Sequence, residues 1–372
     1  MAGVPHYARG VTASTIALDL TSDVAELTAA LIDINSVSGN EGALADAVES
    51  ALRGLPHLHV LRDGDAILAR TELGRDERVI LAGHLDTVPL PTVPQSRGTV
   101  PSSWDDGVLY GRGATDMKGG VAVQLALAAQ LTAPRRDVTY VFYDHEEVEA
   151  SLSGLGRLVR NHRELLAGDF AILLEPTDGT VEGGCNGTSR FEATTVGKAA
   201  HSARAWMGQN AIHAAAEILV RLRNHEPATV TVDGLDYRES LNAVKINGGT
   251  AGNVIPDKAV VEINYRFAPD KTPDDAEAYV RGLLEGFEVV RTDAAAGARP
   301  GLQHPAAAEF VAAVGAEPKP KYGWTDVARF SELGIPAVNF GPGDALLAHT
   351  DNEHVTAEAI RACLEALSRW LR

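Results

Sequence analysis

Residues 79–86 read Val79-Ile80-Leu81-Ala82-Gly83-His84-Leu85-Asp86, four apolar residues followed at once by a glycine, a histidine and an acid. A short unbroken apolar run suits a strand buried on both faces. The arrangement recurs along the chain. Residues 138–143 (VTYVFY) lead into Asp144-His145-Glu146-Glu147, and residues 170–174 (FAILL) lead into Glu175-Pro176. Residues 337–340 (AVNF) pass through a Gly-Pro-Gly turn before His349-Thr350-Asp351. Helical patterns lie between and around these runs. Residues 21–34 read as a helix with Thr21 or Ser22 as its cap and Asp23 and Glu26 in its first turn. Residues 117–131 read as another despite Gly119 and Gly120, and residues 356–371 supply a closing amphipathic helix. Strands alternating with helices predict an α/β fold.

The middle of the chain has a different rhythm. From about residue 190 to 290 the order is strand, helix, strand, strand, helix, strand. The pieces are RFEATTV, a helix over 211–224, TVTV and LNAVKING, KAVVEINYRF, a helix over 273–285, and FEVV. With TVTV and LNAVKING counted as one interrupted strand region, this is close to the β-α-β-β-α-β order of a ferredoxin-like unit. The α/β pattern resumes after Pro300. The expected organisation is therefore a catalytic α/β domain over 1–184 and 295–372, interrupted by an inserted α+β domain over 185–294. A chain of 372 residues is long enough for two cores. No internal repeat or low-complexity linker is present.

Composition narrows the class. A formal net charge of −17 argues against nucleic acid and anionic membranes as partners. No apolar run reaches the roughly 18 residues that a membrane helix needs. The first twenty residues lack an apolar stretch behind a basic start, so no secretory leader is expected. Cys185 and Cys363 match no metal-ligand spacing and cannot build a disulfide framework, which points to the reducing cytoplasm.

The acids and histidines fall where the strands end. His84, Glu147, Glu175 and His349 all follow apolar strands, and Asp116 opens a helix after Gly111-Arg112-Gly113-Ala114-Thr115. In open α/β sheets ligands bind beyond the carboxyl ends of the strands. One such acid is ordinarily a helix cap or a solvated loop residue. Five potential ligands at one edge are different, because clustered carboxylates repel unless a cation or proton compensates. Two imidazoles and three carboxylates suit two divalent ions, each with one His and one Glu, and with Asp116 bridging through its two oxygens. Nitrogen and oxygen donors without thiolate favour zinc, with cobalt or manganese as substitutes, and the open positions left for water mark a catalytic site. Asp86, two residues after His84, lies on the same side of an extended segment and is expected to accept the second ring N–H of His84. Glu146 and Glu147 point apart; Glu147 is taken as ligand and Glu146 as general base, although spacing alone leaves the reverse open.

Together GHLDTVP, GRGATDMKGG, the DHEEV segment, LEPT, GKAAHSA, GNVIP and AHTDNE resemble the co-catalytic metallopeptidase family that includes succinyl-diaminopimelate desuccinylase, acetylornithine deacetylase, aminoacylase and related carboxypeptidases. The motifs run from about His84 to Glu353. The resemblance implies His84, Asp116, Glu147, Glu175 and His349 as ligands, Glu146 as base and Asp86 behind His84, in agreement with the reading from position. It further implies that residues 185–294 are a lid and dimerisation domain. His201 of GKAAHSA would then reach the active site of a homodimer partner and stabilise the tetrahedral oxyanion.

For substrate, the resemblance implies that Asn253 of GNVIP and Arg266 contact polar groups, an Arg fork being suited to a carboxylate. Glu175 is similar to the desuccinylase branch, where several relatives carry Asp. The line KYGWTDVARF resembles the actinobacterial desuccinylases, its Trp324 departing from the Gly- and Thr-rich loop of many others. The reaction expected from the resemblance is hydrolysis of N-succinyl-LL-2,6-diaminopimelate. Acetylornithine or a small peptide is the alternative substrate for the same chemistry.

Overall fold

The computed structural model describes residues 16–372. They divide into two compact units, one of residues 16–76, 81–166 and 342–372, the other of residues 77–80 and 167–341. The expected absence of a leader concerns residues that mostly lie outside those described.

In the first unit β1 (His59–Asp63), β2 (Ala66–Arg70), β6 (Asp137–Tyr143) and β3 (Arg78–His84, of which residues 81–84 belong here) stand side by side in that order. β2 is antiparallel to both β1 and β6. Every residue of β6 is buried, as its apolar run requires. The helices are α1 (Val24–Ile32), α2 (Gly42–Arg53), α3 (Gly119–Gln130), α4 (Gly154–Asn161) and α9 (Ala357–Leu371). The buried amide of α3 has work for both its hydrogens: Gln124 donates to Leu81 O at 2.7 Å and to Val141 O at 2.9 Å, tying the helix to two strands. A small sheet of β4 (Ser103–Asp105), β5 (Val108–Tyr110) and β19 (His354–Thr356) has the order β19-β5-β4.

Two helix starts differ from expectation. α1 is capped by Asp23, whose Oδ1 accepts from Ala25 N at 3.0 Å. Thr21 and Ser22 are instead drawn into a turn on Asp19, where the Thr21 hydroxyl donates to Oδ1 at 2.6 Å. α3 begins at Gly119 because residues 114–118 form a wider turn, with Asp116 (φ −121°, ψ 97°) and Met117 (φ −133°, ψ 38°) off the helical conformation. α9 begins as read, with Thr356 as its cap accepting from Ala359 N.

The second unit holds β7 (Phe170–Leu173), β18 (Ala337–Asn339), β8 (Glu182–Gly183) and β17 (Lys319–Pro320) in that lateral order, with α7 (Pro305–Val314) and α8 (Val327–Glu332). It also holds a four-stranded antiparallel sheet of β9 (Gly187–Val196), β13 (Ser240–Gly248), β15 (Lys258–Phe267) and β16 (Glu288–Ala295), ordered β13-β15-β9-β16. α5 (Ala211–Arg223) and α6 (Pro273–Leu283) share a buried core with its inner face, where Phe191, Val261 and Ile263 meet Ala215, Ile218 and Val280. Sequence order and lateral order together are those of a ferredoxin-like fold. TVTV is not part of this sheet, contrary to the reading above. It forms β11 (Thr229–Val232), paired with β12 (Leu235–Arg238) across Asp233-Gly234, both at positive φ. That dipeptide is a hairpin signal in its own right. A two-residue ribbon, β10 (Ala200–His201) with β14 (Val254–Ile255), completes the unit. Among the described residues no helix is long and apolar enough to cross a membrane.

Candidate metal centre

β3 delivers His84 to a buried position at its carboxyl end. The turn 114–118 presents Asp116; it starts at Gly113, whose φ of +84° and crowding by Thr87 and Lys118 leave no room for a side chain. The segment after β6 carries Glu147, and the loop before β19 carries His349. These four side chains come together. His84 Nε2 is 3.1 Å from Asp116 Oδ1, and His349 Nε2 is 3.3 Å from Asp116 Oδ2 and 2.9 Å from Glu147 Oε1. His84, Asp116 and Glu147 each offer a ligand atom within 4.8 Å of the others, a group able to hold a metal ion.

The chemistry of the donors fits a cation. His84 Nδ1 lies 3.0 Å from the main-chain oxygen of Asp86, while Nε2 faces the carboxylate of Asp116. A neutral imidazole has one N–H and cannot donate to both. With its proton on Nδ1, the lone pair of Nε2 points into the acid cluster, the orientation of a metal-ligating histidine. His349 tells the same story. Its hydrogen bonds to Asp116 and Glu147 push its pKa up to about 10, so without another cation the cluster draws a proton onto this half-exposed ring. Burial opposes the charge of Asp116, yet the bonds to His349 and His84 hold its carboxyl well below the ordinary range.

Asp86 does not act on His84 as expected. Its carboxylate is 3.6 Å from His84 Nδ1, beyond a hydrogen bond, because its oxygens are already engaged. Oδ1 accepts from Glu146 N at 2.9 Å, and Oδ2 accepts from Glu147 N at 3.0 Å and from Ser38 Oγ at 2.7 Å. The buried acid thus fixes the backbone that carries both glutamates, while its carbonyl holds the histidine. Next to them His145, at φ +58°, donates from Nδ1 to Asp144, which is also clasped by Arg157 at 2.6 Å. Ser38 was not legible from sequence: it acts across 48 positions and sits in no motif. Lys118 was also missed. It donates to Leu31 O and Ile34 O at the end of α1, and burial pushes its ammonium down to about 7.

The remaining expected residues belong to the second unit. Glu175 is buried just beyond β7. His201 is exposed, and its Nδ1 accepts from Ala203 N at 3.1 Å, which leaves the ring proton on Nε2, free to be donated. The carbonyl of Asn253 accepts from Ser202 N at 2.9 Å, so His201 and Asn253 are fixed in one ribbon. Arg266 lies on the sheet face away from α5 and α6, donating to Asn264 at 3.1 Å. Burial and the neighbouring Arg190 disfavour its charge, a setting that an anion would relieve. Trp324 donates to Ala296 O at 3.0 Å.

Comparison with known proteins agrees with this geometry. The chain is 51% identical over 357 residues to the Mycobacterium tuberculosis protein assigned as succinyl-diaminopimelate desuccinylase DapE, covering 95% of this chain and 99% of that one. It is 44% identical over 365 residues to succinyl-diaminopimelate desuccinylase of Corynebacterium glutamicum, covering 95% and 97%. Its fold matches that of the YXEP protein of Bacillus subtilis, a dinuclear metal-binding peptidase, with a TM-score of 0.67 at 18% identity over 94% of this chain and 96% of that one. Residues 80–372 match Peptidase family M20/M25/M40, and the chain belongs to that family.

Proposed function

We propose that the chain hydrolyses N-succinyl-LL-2,6-diaminopimelate to succinate and LL-2,6-diaminopimelate at a centre of two zinc ions, with cobalt as a substitute. The observation that carries the reading is Asp116, one carboxylate oxygen directed at each of two histidines, beside Glu147. The identity to two desuccinylases over nearly the full chain supports the substrate. The dinuclear Bacillus subtilis relative supports the count of ions. His84, Asp116, Glu147, Glu175 and His349 would hold them, with Asp116 shared.

When bound, the ions supply Lewis acidity that polarises the amide carbonyl and lowers the pKa of water toward about 7. Glu146 takes the proton as water adds to the succinyl carbonyl carbon, then passes it to the departing amine as the C–N bond breaks. Its main chain is pinned by Asp86, which fixes the point from which the side chain extends. The partner subunit's His201 donates from Nε2 to the developing oxyanion. Asn253 and Arg266 hold substrate carboxylates.

A homodimer through residues 185–294 follows from this role of His201. The edge strand β13 exposes Val244 and Ile246, and α5 beside it exposes Ile212, Leu219 and Val220. An open apolar edge of this kind is ordinarily covered by another strand. Both cysteines are buried and free, which suits a reducing cytoplasm.

The experiment is amine release by the zinc-loaded protein from N-succinyl-LL-2,6-diaminopimelate, with N-acetylornithine in parallel. Strong preference for the succinyl compound is expected. Turnover of acetylornithine alone would keep the chemistry and overturn the substrate.

A further inference from the structure

Outside the ligands themselves, the first unit buries a charged pair, Arg112 with Glu353, 3% and 1% exposed, joined at 2.7 Å. Burying two charges costs about as much as their attraction returns, so such a pair is weak evidence for stability alone. What the pair holds is more telling. Glu353 Oε1 accepts from Thr115 N at 3.0 Å and from Asp116 N at 3.1 Å, while Oε2 takes Arg112 Nη1. Arg112 Nη1 also reaches Thr350 O at 3.3 Å, one residue after His349. Main-chain bonds run alongside: Gly111 N donates to Glu353 O at 3.1 Å, and Gly98 N to Asp351 O at 2.8 Å. Gly98 packs so tightly on this loop that a Cβ there would stand 2.8 Å from Glu353 N.

We infer that Arg112 and Glu353 are positioning residues that set the distance between Asp116 and His349, and so the binding of the two ions. One carboxylate holds the amide of Asp116, and the guanidinium bound to it holds the carbonyl next to His349. The turn 114–118 departs from helical geometry at Asp116, and the amide of that residue donates out of the turn to Glu353. His349 sits at φ +64°, a conformation that its loop must impose. The clamp supplies the constraint on both.

This inference rests on the metal-centre reading above, and its test is read without substrate. Chelator-treated wild type, Glu353→Ala and the double variant Arg112→Met/Glu353→Leu are titrated with zinc by calorimetry, and their melting is followed in the absence of metal. The double variant replaces the ion pair by apolar groups of similar volume and so guards against failure of the single variant to fold. Each folded variant is expected to bind zinc about 10–100-fold more weakly than wild type, the range for residues behind metal ligands. A merely structural pair would lower the metal-free melting temperature and leave affinity alone. A folded variant with wild-type affinity for both ions overturns the inference. Wild type that binds no zinc would instead overturn the metal centre itself, and desuccinylase activity enters neither outcome.

Discussion

His84 Nε2 stands 3.1 Å from Oδ1 of Asp116, and that one contact aligns the end of β3 with a turn 32 residues later in the chain. The other oxygen of Asp116 faces His349. A carboxylate that serves as a helix cap turns toward backbone N–H groups. Asp116 turns toward two imidazoles, and the amide of Asp116 itself is held from behind by Glu353. The proposed sharing of Asp116 between two cations rests on this arrangement.

Replacing Glu146 by Ala removes the proposed base and leaves the ligands. Turnover is expected to fall about 10²–10⁴-fold while zinc content stays at the wild-type level. Steady-state kinetics with metal analysis on one preparation check this. Retained turnover would move the base to another residue.

His201→Ala is expected to lower kcat about 10²–10³-fold. Mixing gives a sharper reading. A heterodimer of one His201→Ala protomer and one Glu146→Ala protomer contains one site with its own Glu146 and the partner's His201. Co-refolded mixtures should regain activity that neither variant has alone. No recovery would mean that His201 does not act across subunits.

Asp86→Asn puts an amide NH₂ where one oxygen accepts the backbone N–H of Glu146 or Glu147. Donor would face donor, and the segment carrying both glutamates would shift. Metal affinity or activity is expected to fall about 10–100-fold, as measured by zinc titration and kinetics. If both stay unchanged, Asp86 is only packing.

Much of this site was readable before the fold was known, for a physical reason. A buried strand announces itself by an apolar run, and β3, β6 and β7 each end within a residue or two of a His or an acid. Position alone therefore gathered His84 and Glu147, which the structure brings to the same cluster. The ferredoxin-like unit was legible from the same alternation. What failed to show were contacts between distant backbones. Nothing near Asp86 says that it serves the amides of residues 146 and 147 rather than the ring two positions away. Ser38 and Glu353 act across 48 and 237 positions. The cap of α1 was misplaced because Asp19, Thr21, Ser22 and Asp23 all favour caps or turns, and only the turn on Asp19 decides among them. TVTV was misread because the Asp233-Gly234 hairpin signal was passed over.

In the metal-free protein His349 titrates at about 10, against an ordinary value of 6.5. Between those values the folded chain holds a proton that the unfolded chain has released, so stability falls as pH rises through the window. Below about 6.5 the contribution is fully present. The ring is half exposed, so the effect is modest. Melting of chelated wild type and His349→Ala from pH 6 to 10 checks it: the gap between them should narrow toward pH 10. A gap independent of pH would contradict the raised pKa.

The central claim is that Asp116 binds both ions, and zinc content per chain in wild type and Asp116→Asn tests it most directly. Wild type should hold about two zinc ions, and the folded variant, which loses the charge that both ions share, should hold fewer than about one. One ion in wild type, or two retained in Asp116→Asn, would contradict the account.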